Sequence, residues 1–174
     1  SLLLGSRYGK AIRFSEENIR AMGRTARGVH AMRLREQDAL IDMSVVSDGR
    51  KVLTITENAY GKLTDPEAYR EQGRNGMGII AMALSDKTGL LVAQLTVQED
   101  EDVLLMTDDG TIIRMAVSSI RETGRNAQGV RLMRIAEGAK IVAVARAEQE
   151  QEEDAAEDAL EEAVEALGLG GRVR

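Results

Sequence analysis

The chain has 174 residues, a formal net charge of −6, no cysteine, no tryptophan, one phenylalanine and one histidine. That length suits one domain or a small array, the lack of cysteine excludes a disulfide framework and a thiolate metal site, and no apolar run approaches the ~20 residues of a membrane-spanning helix. Charge is unevenly placed: residues 148–174 hold ten acids and two bases, a net of −8, which leaves 19 acids and 21 bases, a net of +2, on residues 1–147.

Taken in order, Leu2-Leu3-Leu4 turn through residues 5–9 into Lys10-Ala11-Ile12-Arg13, a hairpin pattern. The hexapeptide Gly23-Arg24-Thr25-Ala26-Arg27-Gly28 follows. Behind it come an apolar run at 29–34, a polar turn at 35–38 and a second apolar run at 39–46. The same succession then returns. Residues 52–56 turn through 57–61 into Lys62-Leu63, and Gly73-Arg74-Asn75-Gly76-Met77-Gly78 precedes apolar runs at 79–84 and 90–97. In the third round Asp108-Asp109-Gly110 joins residues 103–107 to Thr111-Ile112-Ile113-Arg114, a strong hairpin signal. Gly124-Arg125-Asn126-Ala127-Gln128-Gly129 then precedes runs at 130–135 and 141–147.

The first glycines of the hexapeptides lie 50 and then 51 residues apart. A period of that size marks repeated supersecondary units such as propeller-type blades. Each unit reads as four short strands, so the fold class is all-β, with three blades at about 1–47, 48–98 and 99–147 and about twelve strands in total. The core is expected to be Val, Ile, Leu, Met and Ala. Pro66 is placed to open a short helical turn, and the hexapeptide glycines are expected to take backbone angles that a Cβ opposes. Because residues 2–4 match the start of a unit already under way, the chain is expected to be a piece of a longer protein. No charged leader or cleavage site is evident.

The segment 148–174 begins with the acid run Glu150-Gln151-Glu152-Glu153-Asp154. It then takes helical spacing at Ala156, Leu160, Val164 and Leu167, with Gly168 and Gly170 as stop signals. Two readings stand for this tail, a solvated acidic extension and a nucleic-acid mimic that competes for the basic body.

The body carries 16 Arg against 5 Lys, and Arg is the better fork for phosphate oxygens. Arg24, Arg74 and Arg125 recur at one position per unit, an arrangement suited to following a polyanion's backbone. The competing reading is that each braces a loop by bonding backbone carbonyls. The candidate DNA-contacting residues are Lys10, Arg13, Arg24, Arg27, Lys62, Arg74, Arg114, Arg125 and Arg131. Catalysis finds no support. His30 lies in an apolar pattern, Ser and Thr lack a partnering base, and no zinc set can be assembled. Glu99-Asp100-Glu101-Asp102 with Asp108-Asp109 could gather a hard cation but lacks the spacing of a dedicated calcium loop. Gly73 to Gly78 lacks the Lys-Ser/Thr and following helix of a phosphate loop. No catalytic residue, metal site, cofactor or small-molecule substrate is expected.

The repeated Gly-Arg-x-x-x-Gly-(Val/Ile) with its alternating strand, together with Val52-Leu53-Thr54-Ile55-Thr56-Glu57-Asn58-Ala59-Tyr60-Gly61-Lys62, resembles the C-terminal domain of the DNA gyrase A protein over residues 1 to about 147. An acidic C-terminal tail is also usual in that family. The resemblance implies a β-pinwheel, a disc of four-stranded blades that exchange strands between neighbours, here represented by its C-terminal blades. It implies a basic rim that bends and wraps duplex DNA without sequence preference and so supports negative supercoiling. Its implied partners are the rest of the gyrase A protein and the gyrase B protein in an ATP-dependent topoisomerase, an isomerase of the bacterial cytoplasm. The family's first-blade box, Gln-Arg-Arg-Gly-Gly-Lys-Gly, is not present. Gln72-Gly73-Arg74-Asn75-Gly76-Met77-Gly78 aligns with it but lacks one Arg and the Lys. The DNA-cleaving tyrosine and any ATPase motif are also missing, so Tyr8, Tyr60 and Tyr69 are expected to be structural. The related pinwheel of topoisomerase IV and a propeller-like protein-interaction module remain as alternatives.

The charge split makes a prediction. Tethering makes competition between tail and DNA intramolecular, and the screening length falls from ~30 Å at 0.01 M salt to ~10 Å at 0.1 M. Deleting residues 148–174, or replacing their ten acids by Gln and Asn, is expected to tighten DNA binding several-fold in a gel-shift salt series, most at low salt. If only substitution of Leu160, Val164 and Leu167 has an effect, an apolar helix face is responsible and the electrostatic account is wrong.

Overall fold

The structure is a computed structural model and describes residues 1–148; the expected acidic, partly helical tail lies outside the described residues. Among the described residues eleven strands occur: β1 (Leu2–Ser6), β2 (Lys10–Phe14), β3 (Leu40–Val45), β4 (Lys51–Thr56), β5 (Tyr60–Thr64), β6 (Ile79–Ile80), β7 (Leu91–Val97), β8 (Glu101–Thr107), β9 (Ile112–Ala116), β10 (Val130–Arg131) and β11 (Ile141–Glu148). The only helical pieces among the described residues are 3-10 turns at Glu16–Asn18, Pro66–Ala68 and Val117–Ser119. At the second of these, Asp65 caps the turn by accepting from the Glu67 amide at 2.9 Å, and Pro66 occupies the first turn, where its missing N–H costs nothing.

The strands form antiparallel sheets in the orders β3-β1-β2-β6, β10-β5-β4-β7 and β11-β8-β9. Leu4 faces Ile12, Thr54 faces Lys62 and Leu105 faces Ile113, so the three hairpins share one register. The same turn position takes a positive φ each time, at Gly9 (81°), Ala59 (62°) and Gly110 (86°). Ala there carries the left-handed strain that glycine avoids. β3 packs against β7 and β7 against β11. Thr96 ties this seam together: its hydroxyl donates to the Val45 carbonyl at 3.1 Å, and its carbonyl accepts from Arg50 and Arg146, each at 3.3 Å. These strands therefore line the inner side of the array, and β6 and β10 lie at the outer edge, three strand spacings or about 14 Å away.

The fourth strand of a sheet comes from the following unit. The chain from Gln72 to Ala81 runs along the whole of β2, with Gln72 donating to the Arg13 carbonyl and Ala81 to the Gly9 carbonyl, both at 2.8 Å. Residues 123–132 repeat this on β5, through Thr123 to Leu63 at 2.9 Å and Leu132 to Ala59 at 2.8 Å. This is the exchange of strands between neighbours that the resemblance implies: a unit contributes its strands to two sheets. Residues 29–34 form no ladder beyond a single bridge from Met32 to Gly76, because no preceding sheet in this chain offers them an edge. Among the described residues the third sheet has three strands, and the total is eleven rather than about twelve.

Burial follows the exchange. The largest cluster joins Leu53, Ile55 and Val97 of the second unit to Val103, Leu105, Val117, Ile120 and Ile141 of the third. Each such side chain contributes roughly 1.5–3 kcal/mol on burial. The core is mainly aliphatic, but Phe14 and Tyr69 are also fully enclosed, which the composition did not suggest.

Where the chain crosses onto the preceding sheet it passes close to that sheet's backbone. Gly78 and Gly129 have φ of 68° and 74°. A Cβ on Gly129 would lie 2.5 Å from the Gly61 carbonyl oxygen, and one on Gly78 would strike the Ala11 carbonyl oxygen. Gly28 has φ 80° but open space around it. Gly28→Ala should therefore cost only the left-handed strain, about 1–2 kcal/mol. Gly129→Ala should cost clearly more, because the strand must also move away. Equilibrium urea unfolding measures both; equal costs would show that crossing distance is not what selects glycine.

Candidate nucleic-acid interface

Two sets of cations emerge, one bound to the protein's own carbonyls and one without a partner. Arg74 donates to the His30 carbonyl at 2.6 Å, so it braces the preceding unit. Arg125 donates in the same way to the Ile80 carbonyl and reaches the Ala68 carbonyl at 3.1 Å. Arg13 sends its guanidinium to the carbonyls of Pro66 (3.0 Å) and Tyr69 (3.4 Å) and to Glu67 (3.1 Å), with its side chain only 13% exposed. These three were expected to face outward. Instead each spans the junction between two units.

Lys62 is a direct correction. It is fully buried, and its ammonium donates to the Gly124 carbonyl at 2.9 Å and to the Arg125 carbonyl. It therefore offers nothing to a ligand on the rim. Burial, with a smaller contribution from the Arg125 charge, lowers its pKa to about 8. Arg114 is exposed and bonds Asp102 and the Glu148 carbonyl, each at 2.6 Å. Arg131 donates to the Tyr60 hydroxyl at 3.2 Å. Lys10 is half-buried, whereas Arg24 and Arg27 are exposed and make no hydrogen bond or ion pair among the described residues. Arg24 shares the register of Arg74 and Arg125, but the carbonyl that each of them binds belongs to a preceding unit.

A further set escaped the sequence reading. Arg20, Arg70 and Arg121 repeat with the same 50 and 51 spacing, three residues ahead of each hexapeptide. All three are exposed, and their side chains make no hydrogen bond or ion pair among the described residues. Each follows an inward-facing neighbour just past the 3-10 turn. Tyr69 and Ile120 are 1% and 4% exposed, and Ile19 is half-buried. The buried neighbour fixes the backbone, and the alternation sends the guanidinium outward. Glu71 bridges to Arg13 and Glu122 to Leu63, so Arg70 and Arg121 stand where the exchanged strand begins, at the outer edge of a sheet. A free guanidinium in a fixed register can take two phosphate oxygens through paired N–H donors.

The acidic turn cluster makes no such site. Glu101 faces Arg50 at 3.5 Å and Arg146 at 4.0 Å, and Asp102 pairs with Arg114. Among the described residues no group of three or more His, Asp or Glu side chains converges on a point where a metal ion could sit. His30 is exposed, and its carbonyl rather than its ring does the work. No helix of the described residues is long and apolar enough to cross a membrane.

Comparison with known proteins agrees with the repeat and the fold. The family model described as the DNA gyrase C-terminal domain, a β-propeller, matches residues 1–47, 50–97 and 101–148. The DNA gyrase A protein of Pseudomonas aeruginosa is 40% identical over 148 residues, covering 85% of this chain and 16% of that protein. The DNA gyrase A protein of Helicobacter pylori (strain J99) is 43% identical over 153 residues, covering 87% and 18%. The chain thus spans less than a fifth of these relatives. A solved gyrase A C-terminal domain superposes with a TM-score of 0.77 at 27% identity, over 83% of this chain and 50% of that one. The C-terminal domain of a DNA topoisomerase IV gives 0.80 at 22% identity, over 92% and 50%, a likeness of fold alone.

The buried Lys62 predicts a pH dependence. Its folded pKa, about 8, lies below the ordinary 10.5, so between those values the unfolded chain binds a proton that the folded chain does not. The penalty is fully present below pH 8, and stability rises as pH climbs from about 8 towards 10.5. Urea midpoints on both sides of pH 8 should show this rise, and Lys62→Met should flatten it. An unchanged rise in the variant would mean that Lys62 is not its source.

Proposed function

The chain belongs to the DNA gyrase C-terminal domain family, and on that premise we propose that its outer edge binds and bends duplex DNA without regard to sequence. The observation that carries this reading is the row of Arg20, Arg70 and Arg121, exposed and without a partner at one position per unit. A protein that neutralises phosphates in this way releases counterions, which gives affinity without reading bases. Arg24 and Arg27, also exposed, extend the row. Arg13, Arg74 and Arg125 serve it indirectly: by fixing the junctions between units they set the curve that the DNA follows. Their charge persists, so they add to the potential of the edge at longer range.

In the parent protein this surface would wrap DNA beside the rest of the gyrase A protein and its gyrase B partner, and so support ATP-dependent negative supercoiling. The sequence relatives named above are gyrase A proteins, which favours that parent over topoisomerase IV. The chain has no catalytic step of its own in this reading.

The test separates the two sets of arginines. Arg70→Gln and Arg121→Gln should each weaken binding equally across unrelated duplexes, lower the slope of log affinity against log salt by about one, and leave the melting temperature unchanged. Arg74→Ala and Arg125→Ala should lower the melting temperature instead. If the slope does not move in the first pair, the row is solvated surface and the proposal fails.

A further inference from the structure

At the junction of the second and third units, a cavity of about 430 Å³ opens beside Tyr60, within the range of small-ligand sites. Asn58, Lys87, Arg131, Arg134 and Lys140 line it with Tyr60. Lys87 and Arg131 both lie over the Tyr60 ring, at 5.4 and 5.5 Å from its centre, and Arg131 also donates to the phenol oxygen. Tyr60 itself is 6% exposed, so the ring is a fixed wall rather than a mobile surface group. Among the described residues two carboxylates reach this cluster: Glu57, 3.1 Å from the Lys140 ammonium, and Asp108, whose Oδ1 accepts from the Lys140 backbone amide at 2.9 Å; the same ammonium lies 3.4 Å from Asn58 Oδ1. Lys87, Arg131 and Arg134 make no ion pair with a carboxylate among the described residues.

The set of cations is not a general feature of the repeat. At the junction of the first and second units, Ile80 faces Lys10, where here Arg131 faces Tyr60. The Leu90 carbonyl accepts from Glu57 as the Lys140 carbonyl accepts from Asp108, so Leu90 stands in the place of Lys140. Ala83 holds the place of Arg134. Apolar groups at one junction are therefore cations at the other. The cluster also lies apart from the arginine row. Tyr60 begins β5, whereas Arg121 stands beside the residue that bridges Leu63 towards the far end of that strand.

We propose that this cavity is a phosphate-binding site. Two guanidinium forks and two ammonium groups against the carboxylates of Glu57 and Asp108 leave a surplus of positive charge that calls for a multivalent anion, and the planar forks fit phosphate oxygens. The ring of Tyr60 is already engaged by two cations, so the cavity offers charge rather than a stacking face for a base. The phosphate can come from a free di- or triphosphate or from the backbone of a duplex. Only the second source rests on the DNA-binding reading above.

The experiment uses the full chain, with inorganic triphosphate titrated by calorimetry and a duplex titrated over a salt series. The variant is Lys87→Gln with Arg134→Gln, checked for an unchanged melting temperature; Arg134→Gln alone, at an exposed and unpartnered site, serves if the pair does not fold. Saturable triphosphate binding that the variant weakens at least tenfold, without a change in DNA salt slope, identifies a free phosphate ligand. A DNA salt slope lowered by about two in the double variant, or about one in the single, identifies a backbone phosphate. If neither triphosphate affinity nor DNA slope changes, the cluster is a solvated surface and the proposal is overturned. Failure of the Arg70 and Arg121 substitutions would leave the triphosphate arm intact, so the two readings fall separately.

Discussion

The crossing of the chain from each unit onto the edge of the unit before it is the constraint on which the other features depend. It requires a backbone approach so close that residues 78 and 129 have no room for a side chain. It brings the 3-10 turn at Pro66–Ala68 against Arg13, and the turn after Gly124 against the Lys62 ammonium. It also places the Arg74 and Arg125 guanidinium groups over carbonyls of the unit before. Hydrogen bonds to a charged group contribute about 1.5–3 kcal/mol each, more than a neutral pair. The junctions are therefore the strongly specified parts of the array, and the shared cluster of the second and third units binds them into one folding entity.

Arginine consequently plays two roles four residues apart. Arg70 points outward and Arg74 inward; Arg121 and Arg125 repeat the pair. The difference lies in what each backbone position faces, since the side chains are chemically identical. Past the 3-10 turn the chain is held by a buried Tyr or Ile, and the next residue must emerge. In the hexapeptide the chain is already lying on the neighbouring sheet, so a guanidinium there finds carbonyls within reach. A charge that is bonded to carbonyls still contributes to the field around the molecule, but it cannot turn to grip a ligand.

Much of this is legible in the residues, and the parts that are not have physical reasons. The period, the hairpins and the turn at Pro66 are local, set by glycine, Asp-Gly and proline chemistry, and they read directly. Strand exchange does not show in a period, because shifting the sheet boundary by one strand leaves the repeat unchanged; only the family resemblance implies it. Residues 29–34 have the same pattern as 79–84, yet only the latter find an acceptor edge, which is a tertiary fact. Lys62 reads as outward because it is charged, although its counterparts Ile12 and Ile113 already mark the position as apolar. Arg20, Arg70 and Arg121 keep perfect register, but they have no glycine beside them to single them out, as Arg74 does. The cavity at Tyr60 lies beyond reach, since its cations come from segments far apart in the chain.

Because a sheet in this array borrows its outermost strand from the next unit, the segment that repeats in the gene product is offset from the sheet that forms in space. That offset has a consequence for how such a chain can change in length. A duplication or loss of one whole period carries a donor strand and an acceptor edge together, wherever in the period the cut falls. Every internal sheet stays complete after the event, and the curve is simply extended or shortened by one step. A fold whose sheets coincided with its repeats would allow this only for cuts made in the linkers, so interleaving makes the array tolerant of growth.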